Sequence, residues 1–178
     1  MEIERKFLIK DLPKNLEDYE KIHIEQGYLN TSSAPALRIR KYNQEYILCY
    51  KFKMKTQEKI ASVCKEIELP LTQQAYQHLK TKIDGRMIEK NRYLVPLKDE
   101  LTAEIDIFEG FLKGLEVVEV EFKSEQDASK FSPPDWFGKD VTLDVRFKNA
   151  HLCKISDVAE ILNNLENKNE EEKTCEGK

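Results

Sequence analysis

The chain has 178 residues, 40% hydrophobic and 35% charged, and its 29 basic and 33 acidic side chains leave a net charge of −4. That length suits one domain with a real core, and the slightly acidic balance argues against wrapping long nucleic acid, which calls for a basic excess. No apolar run reaches the length of a membrane span and the chain opens on a charged strand rather than a leader, so a cytoplasmic protein with neither membrane nor long nucleic acid as partner is expected.

The first segment, MEIERKFLI, alternates. Glu2, Glu4 and Lys6 share one phase and Ile3, Phe7 and Ile9 the other, so a strand over 2–9 would be charged on one face and apolar on the other. Arg5 interrupts the apolar phase, as a residue near a strand edge would. Alternation and β-branched or aromatic enrichment predict further strands at 23–30, 36–42, 45–53, 62–69, 89–96, 102–108, 115–123 and 141–147. Asn43-Gln44 reads as a hairpin turn, and Gly110 and Gly114 as a short connection between two acidic strands. Thr72 would cap a helix over 73–83, and Ser124 would start a short helix stopped by Pro133-Pro134. Apolar periodicity from Ala150 to Leu165 predicts one amphipathic helix over 149–165. The domain is therefore placed at 1–165, with ENKNEEEKTCEGK (166–178) as a charged, solvated tail. Cys49, Cys64, Cys153 and Cys175 lack CxxC spacing and read as reduced thiols. His23, His78 and His151 lack metal spacing, and Trp136 reads as a loop-packing side chain.

Alternation applied to every strand brings out pairs of charges. Arg38 and Arg40 share a face in ALRIRKY, Lys51 and Lys53 in LCYKFK, and Lys90 and Arg92 in EKNRYLV. Glu66 with Glu68, Glu104 with Asp106, and Glu119 with Glu121 form acidic pairs, and Asp144 with Arg146 a mixed one. Like charges two residues apart repel, so such a face gains nothing in isolation. The pattern makes sense if the charged faces converge and the apolar faces point outward under the helices. That is a closed, mainly antiparallel β-barrel turned inside out. Lys6, Arg38, Arg40, Lys51, Lys53, Lys90 and Arg92 suit a small polyanion, since Arg forks onto phosphate oxygens and Lys supplies a compact charge. The paired carboxylates would hold a hard divalent cation that bridges to the same phosphates.

With those residues in place, the sequence resembles the CYTH superfamily of triphosphate tunnel metalloenzymes. Its ExExK motif is Glu2-Ile3-Glu4-Arg5-Lys6, followed in order by LRIR, YKFK, EIE, KNRY, EID, VEVEF and WFGKDVTLDVRFKNAHL, over roughly residues 1–160. The resemblance implies an α+β, eight-stranded antiparallel tunnel with peripheral helices that binds a linear triphosphate with Mg²⁺ or Mn²⁺. Glu2, Glu4, Glu119 and Glu121 would hold the metal. Lys6, Arg38, Arg40, Lys51, Lys90 and Arg92 would grip phosphates, with Lys53 where the strand leaves the tunnel. Glu66, Glu68, Glu104, Asp106 and Asp144 would orient the cations, and Glu4 and a Tyr28–Lys90 pair would assist catalysis. The compact length and WFGKDVT stretch resemble the short bacterial inorganic triphosphatases, with the last helix as a plug for one mouth. Hydrolysis of inorganic tripolyphosphate therefore ranks first. A class IV type adenylate cyclase, a thiamine triphosphatase and a non-catalytic polyphosphate or nucleotide binder rank behind it. A monomer or a homodimer fits equally.

Overall fold

The computed structural model describes residues 1–32, 34–54 and 60–162. Among them nine strands carry the fold: β1 (Glu2–Ile9), β2 (Glu20–Tyr28), β3 (Ala36–Tyr42), β4 (Glu45–Lys53), β5 (Ser62–Pro70), β6 (Asp84–Pro96), β7 (Thr102–Phe108), β8 (Glu116–Glu121) and β9 (Phe137–Asp140). Their order is β5-β4-β3-β2-β6-β7-β8-β1-β9, and β5 pairs back onto β1, so eight antiparallel strands close into a barrel. Closure leaves no open edge among those eight. The first half of β1 pairs with β5 and its second half with β9, which overlies the barrel wall as an additional strand.

Most of the local reading holds. The strands at 36–42, 45–53 and 102–108 fall where alternation puts them. β2 is shifted to earlier residues, and β6 begins at Asp84 rather than 89. Asn43 takes a left-handed φ of 50° in the β3–β4 turn, a conformation Asn tolerates. Thr72 caps α1 (Gln73–Lys80) by accepting from Ala75 N at 3.2 Å, and Ser124 caps α2 (Glu125–Lys130) by accepting from Asp127 N at 3.1 Å. α1 ends at Lys80, short of 83, because β6 starts soon after.

Three expectations are corrected. Residues 141–147 are not a strand. The Asp140 side chain takes Thr142 N at 2.9 Å and that of Asp144 takes Arg146 N at 3.0 Å, turning the backbone into a 3₁₀ turn at Val145–Phe147. Such local side-chain bonds compete with strand pairing, and Asp144 and Arg146 pair with each other at 2.5 Å instead of lining a strand face. Nor is 149–165 one helix: α3 (Asn149–Leu152) stops and helix resumes only at 159–162. The break follows from tertiary contact, since the Cys153 carbonyl accepts from Arg86 N at 2.8 Å. At Gly85 (φ +85°) a Cβ would lie 2.7 Å from that same oxygen, so only glycine lets β6 come this close. Residues 163–178, including the expected tail and Cys175, lie outside the described residues. Arg5, thirdly, sits at no edge. Its guanidinium meets Asp140 at 2.7 Å and the carbonyls of Ala128 and Phe131 at 3.1 and 3.2 Å, over the Phe7 ring.

The apolar faces form two cores. Outside the barrel, Ile3, Phe7, Ile105, Val118 and Val120 pack beneath β9 and α2. A second cluster joins the inward-facing Ile88, Phe108 and Val117 to Val141, Phe147, Leu152, Ile155 and Ile161 from the C-terminal segment. That segment fills one end of the barrel. The outer face of β4–β5 departs from expectation, because no helix among the described residues covers Tyr50, Ile67 and Leu69, which stay 38–54% exposed. No helix among the described residues is long and apolar enough to cross a membrane.

Candidate active site

In antiparallel pairing, side chains of one phase on every strand face the same way. Here the inward phase comprises Glu2, Glu4 and Lys6 of β1, Arg38 and Arg40 of β3, and Lys51 and Lys53 of β4. Glu66 and Glu68 of β5, Arg92 of β6, Glu104 of β7, and Glu119 and Glu121 of β8 complete it. All of these, with Tyr28 of β2 and Asp144, line one cavity of about 690 Å³. Lys90 and Asp106 share the inward phase but sit behind the lining, 2% and 0% exposed.

The wall is polarised. β3 and β4 contribute cations. Arg38 reaches Glu66 at 2.5 Å, and Lys51 lies 2.6 Å from Glu2 and 3.3 Å from Glu66. Oε2 of Glu2 and Oε2 of Glu66 are both buried against this ammonium. Burial, then, pushes the Glu2 carboxyl up to about 7. Glu66 falls to about 2 because Arg38 and the bond to Glu2 outweigh its burial.

The opposite wall, β1–β8–β7, is acidic. Glu119 is held by Lys6 and by Arg92, each at 2.6 Å. Arg92 also takes both oxygens of Asp106 at 2.7 Å and contacts Glu104. Asp106 in turn receives the Lys90 ammonium. Burial pulls that ammonium down to about 8, against the Asp106 charge. Glu4 and Glu121 differ: they are direct register partners across β1 and β8, and neither has an ion pair among the described residues. Burial and then Glu4 raise the Glu121 carboxyl above its ordinary range. Two inward carboxylates face to face, with Lys6, Lys51 and Arg92 near but none in an ion pair with them, fit a hard divalent ion. Of the four expected metal ligands, Glu2 and Glu119 are already neutralised by lysine or arginine.

A third grouping, Cys49, Glu66 and Glu68, brings ligand atoms within 4.8 Å of one another. Its chemistry suits a metal poorly. Arg38 and Arg40 already neutralise its carboxylates, and burial lifts the Cys49 thiol to about 11, far from thiolate.

Tyr28 and Lys90 sit on adjacent strands but apart, since Lys90 pairs in register with Ile24 and Tyr28 lies further along β2. Tyr28 is paired instead with Arg38. The sequence reading passed over Gln26, Thr142, Lys148 and Asn149. Gln26 shares the phase of Tyr28 and could have been found that way. The other three reach the site only because the C-terminal segment folds into the barrel end. Lys148 is informative, for burial and then Lys53 and Lys6 lower its ammonium below the ordinary range. Crowded cations of this kind call for an anion.

Comparison with known proteins agrees with this geometry. The chain is 39% identical to an inorganic triphosphatase of Nitrosomonas europaea over 153 residues, covering 85% of this chain and 96% of that one. It is 32% identical to an inorganic triphosphatase of Acetivibrio thermocellus, covering 86% and 93%. The solved structure of the inorganic triphosphatase NE1496 superposes with a TM-score of 0.65 at 35% identity, over 88% of this chain and 97% of that one. Residues 1–140 match the CYTH domain. Closed barrel, inward charges and sequence likeness agree: the chain belongs to the CYTH domain family.

Proposed function

We propose that the protein hydrolyses inorganic tripolyphosphate to pyrophosphate and orthophosphate in this tunnel, with Mg²⁺ or Mn²⁺ as the metal. The observation that carries the reading is the split wall. Cations on β3 and β4 face carboxylates on β1 and β8, and Glu4 opposes Glu121 with neither in an ion pair among the described residues. Glu4 and Glu121 would hold the metal, flanked by Glu2 and Glu119. The metal's contribution is to neutralise phosphate charge and polarise the bond being broken. Its identity, the assignment of the four ligands and the roles of Tyr28 and Lys90 belong to this proposal.

The rest is the work of the chain's own side chains. Arg38, Arg40 and Lys51, with Lys53 and Lys148 at the margin, would hold the anion extended. Glu66, Asp106 and Glu119 keep the cations aimed. Water attacks the terminal phosphorus, the bridging P–O bond breaks, and pyrophosphate leaves with the bonding pair, its charge met by the fixed cations. Positioning and electrostatics supply most of the acceleration. The filled end of the barrel fits a short linear anion better than one bearing a large organic group.

The test is phosphate release from tripolyphosphate, ATP and thiamine triphosphate with Mg²⁺, Mn²⁺ or EDTA, run beside Glu4→Gln. Expected is metal-dependent release mainly from tripolyphosphate, lowered at least about a hundredfold in Glu4→Gln. Removing one of two opposed carboxylates should also raise the metal-free melting temperature by about 1–4 °C. No release from any substrate would leave a binding tunnel, and cyclic nucleotide from ATP would point to cyclisation.

A further inference from the structure

Gln26 is fully buried, an uncommon setting for an amide. It lies on β2, opposite Arg40 and two residues before Tyr28, and it touches both. Its Oε1 accepts from Arg40 Nε at 2.6 Å and its Nε2 donates to the Tyr28 hydroxyl at 3.2 Å.

Donor chemistry settles the direction of this chain of bonds. A guanidinium has N–H groups and no acceptor, so the face of the amide turned to Arg40 must be its oxygen. The face turned to Tyr28 must then be the NH₂, which can only donate. The phenol oxygen is therefore an acceptor toward Gln26. Arg38, the register partner of Tyr28 on β3, spends its Nη2 on Glu66 at 2.5 Å. Gln26 takes one lone pair of the phenol, and among the described residues none accepts its proton. Tyr28 lines the cavity while only 4% exposed. Its O–H is therefore left to meet a ligand.

We infer that Gln26 is a positioning residue that fixes Tyr28 as a hydrogen-bond donor toward a substrate phosphate oxygen. The inference rests on the reading of the tunnel as a triphosphate site and deepens it. A phosphate oxygen only accepts, so it matches a phenol whose proton is turned to the ligand. Arg40, a phosphate-facing cation, is held by the same amide, so one buried side chain sets two groups at once.

The experiment is a double-mutant cycle. Gln26→Glu keeps the shape but presents only acceptor oxygens, so the phenol would turn its proton onto the carboxylate and away from the cavity. Gln26→Met removes the amide without adding charge and covers the case in which the glutamate variant folds poorly. Each is made alone and in the Tyr28→Phe background. Initial rates and calorimetric tripolyphosphate affinity are measured on all six proteins, with thermal melts as a folding control. Expected is a kcat loss of about tenfold or more for Tyr28→Phe, with Gln26→Glu losing more than Gln26→Met. In the Tyr28→Phe background the gap between the two Gln26 substitutions should shrink severalfold, what remains being the effect carried through Arg40. Equal losses in both backgrounds, or full activity in Tyr28→Phe, would overturn the inference. A wild type that releases no phosphate defeats the triphosphatase reading instead. The affinity arm then decides the donor role, with weaker tripolyphosphate binding in Tyr28→Phe supporting it and unchanged binding refuting it.

Discussion

Lys90 shows what enclosure does to a charge that alternation alone can only place. Burial works against its ammonium and brings it to about 8 from an ordinary 10.5, even with Asp106 in contact. The unfolded chain therefore binds the proton more tightly than the folded one. Between pH 8 and 10.5 the unfolded state holds more protons, so folding stability attributable to Lys90 rises with pH and its penalty is fully present below 8. Denaturant midpoints at pH 8 and 10 for wild type and Lys90→Met should diverge, the wild type gaining about 2 kcal/mol relative to the variant. Parallel pH dependence would mean that Lys90 titrates normally. At this scale the charges themselves were legible: Arg38, Lys51, Glu66 and Glu119 face inward as the two-residue period requires. Their partners were not. That Arg92 is shared by Asp106, Glu104 and Glu119, while Glu4 and Glu121 oppose each other and neither has an ion pair among the described residues, depends on which strands meet and in what register.

Among the elements, the C-terminal segment departs furthest from its sequence reading. Apolar periodicity over 149–165 is real, but Asp140 and Asp144 make local turns and β6 takes the Cys153 carbonyl, so the helix breaks. The apolar residues still do what amphipathicity asks, packing into the barrel end instead of along a single helix face. Phe147 is 1% exposed there, and its carbonyl accepts from Lys6 Nζ at 3.2 Å, tying the segment to β1. Phe147→Ala should cost about 3–5 kcal/mol and raise KM for tripolyphosphate. Val145→Ala, at a residue 61% exposed, should stay within about 0.5 kcal/mol. Urea midpoints and steady-state kinetics on the pair check this, and equal small effects would show that the segment is not part of the folded unit. The strands were easier to read because a period of two survives any register, whereas a helix end depends on what docks against it.

For the whole molecule, the barrel encloses like charges that would repel without a ligand. Arginines and lysines crowd one side, opposed carboxylates the other, and Lys148 already yields to its neighbours. A ligand that bridges the two walls binds the folded state alone, so it must stabilise it by mass action. Tripolyphosphate with Mg²⁺ or Mn²⁺ should raise the melting temperature, by about 2.7 kcal/mol of stability at a hundred times Kd. Metal alone should do less, and orthophosphate less again. A flat response to tripolyphosphate and metal together, measured by thermal shift, would argue that the cavity holds no polyanion.

The amino-acid sequence by itself determined the two-faced strands, the sign of each face, and hence that a closed barrel must turn its charges inward. These follow from side-chain alternation, a local property of the chain. The tertiary structure alone decided which carboxylates oppose each other, which cations are spent on internal pairs, how the C-terminal segment fills the barrel end, and that Gln26 stands between Arg40 and Tyr28. Those depend on pairing register and on contacts between residues far apart in sequence, where a shift of a single residue would turn every inward side chain to the outside.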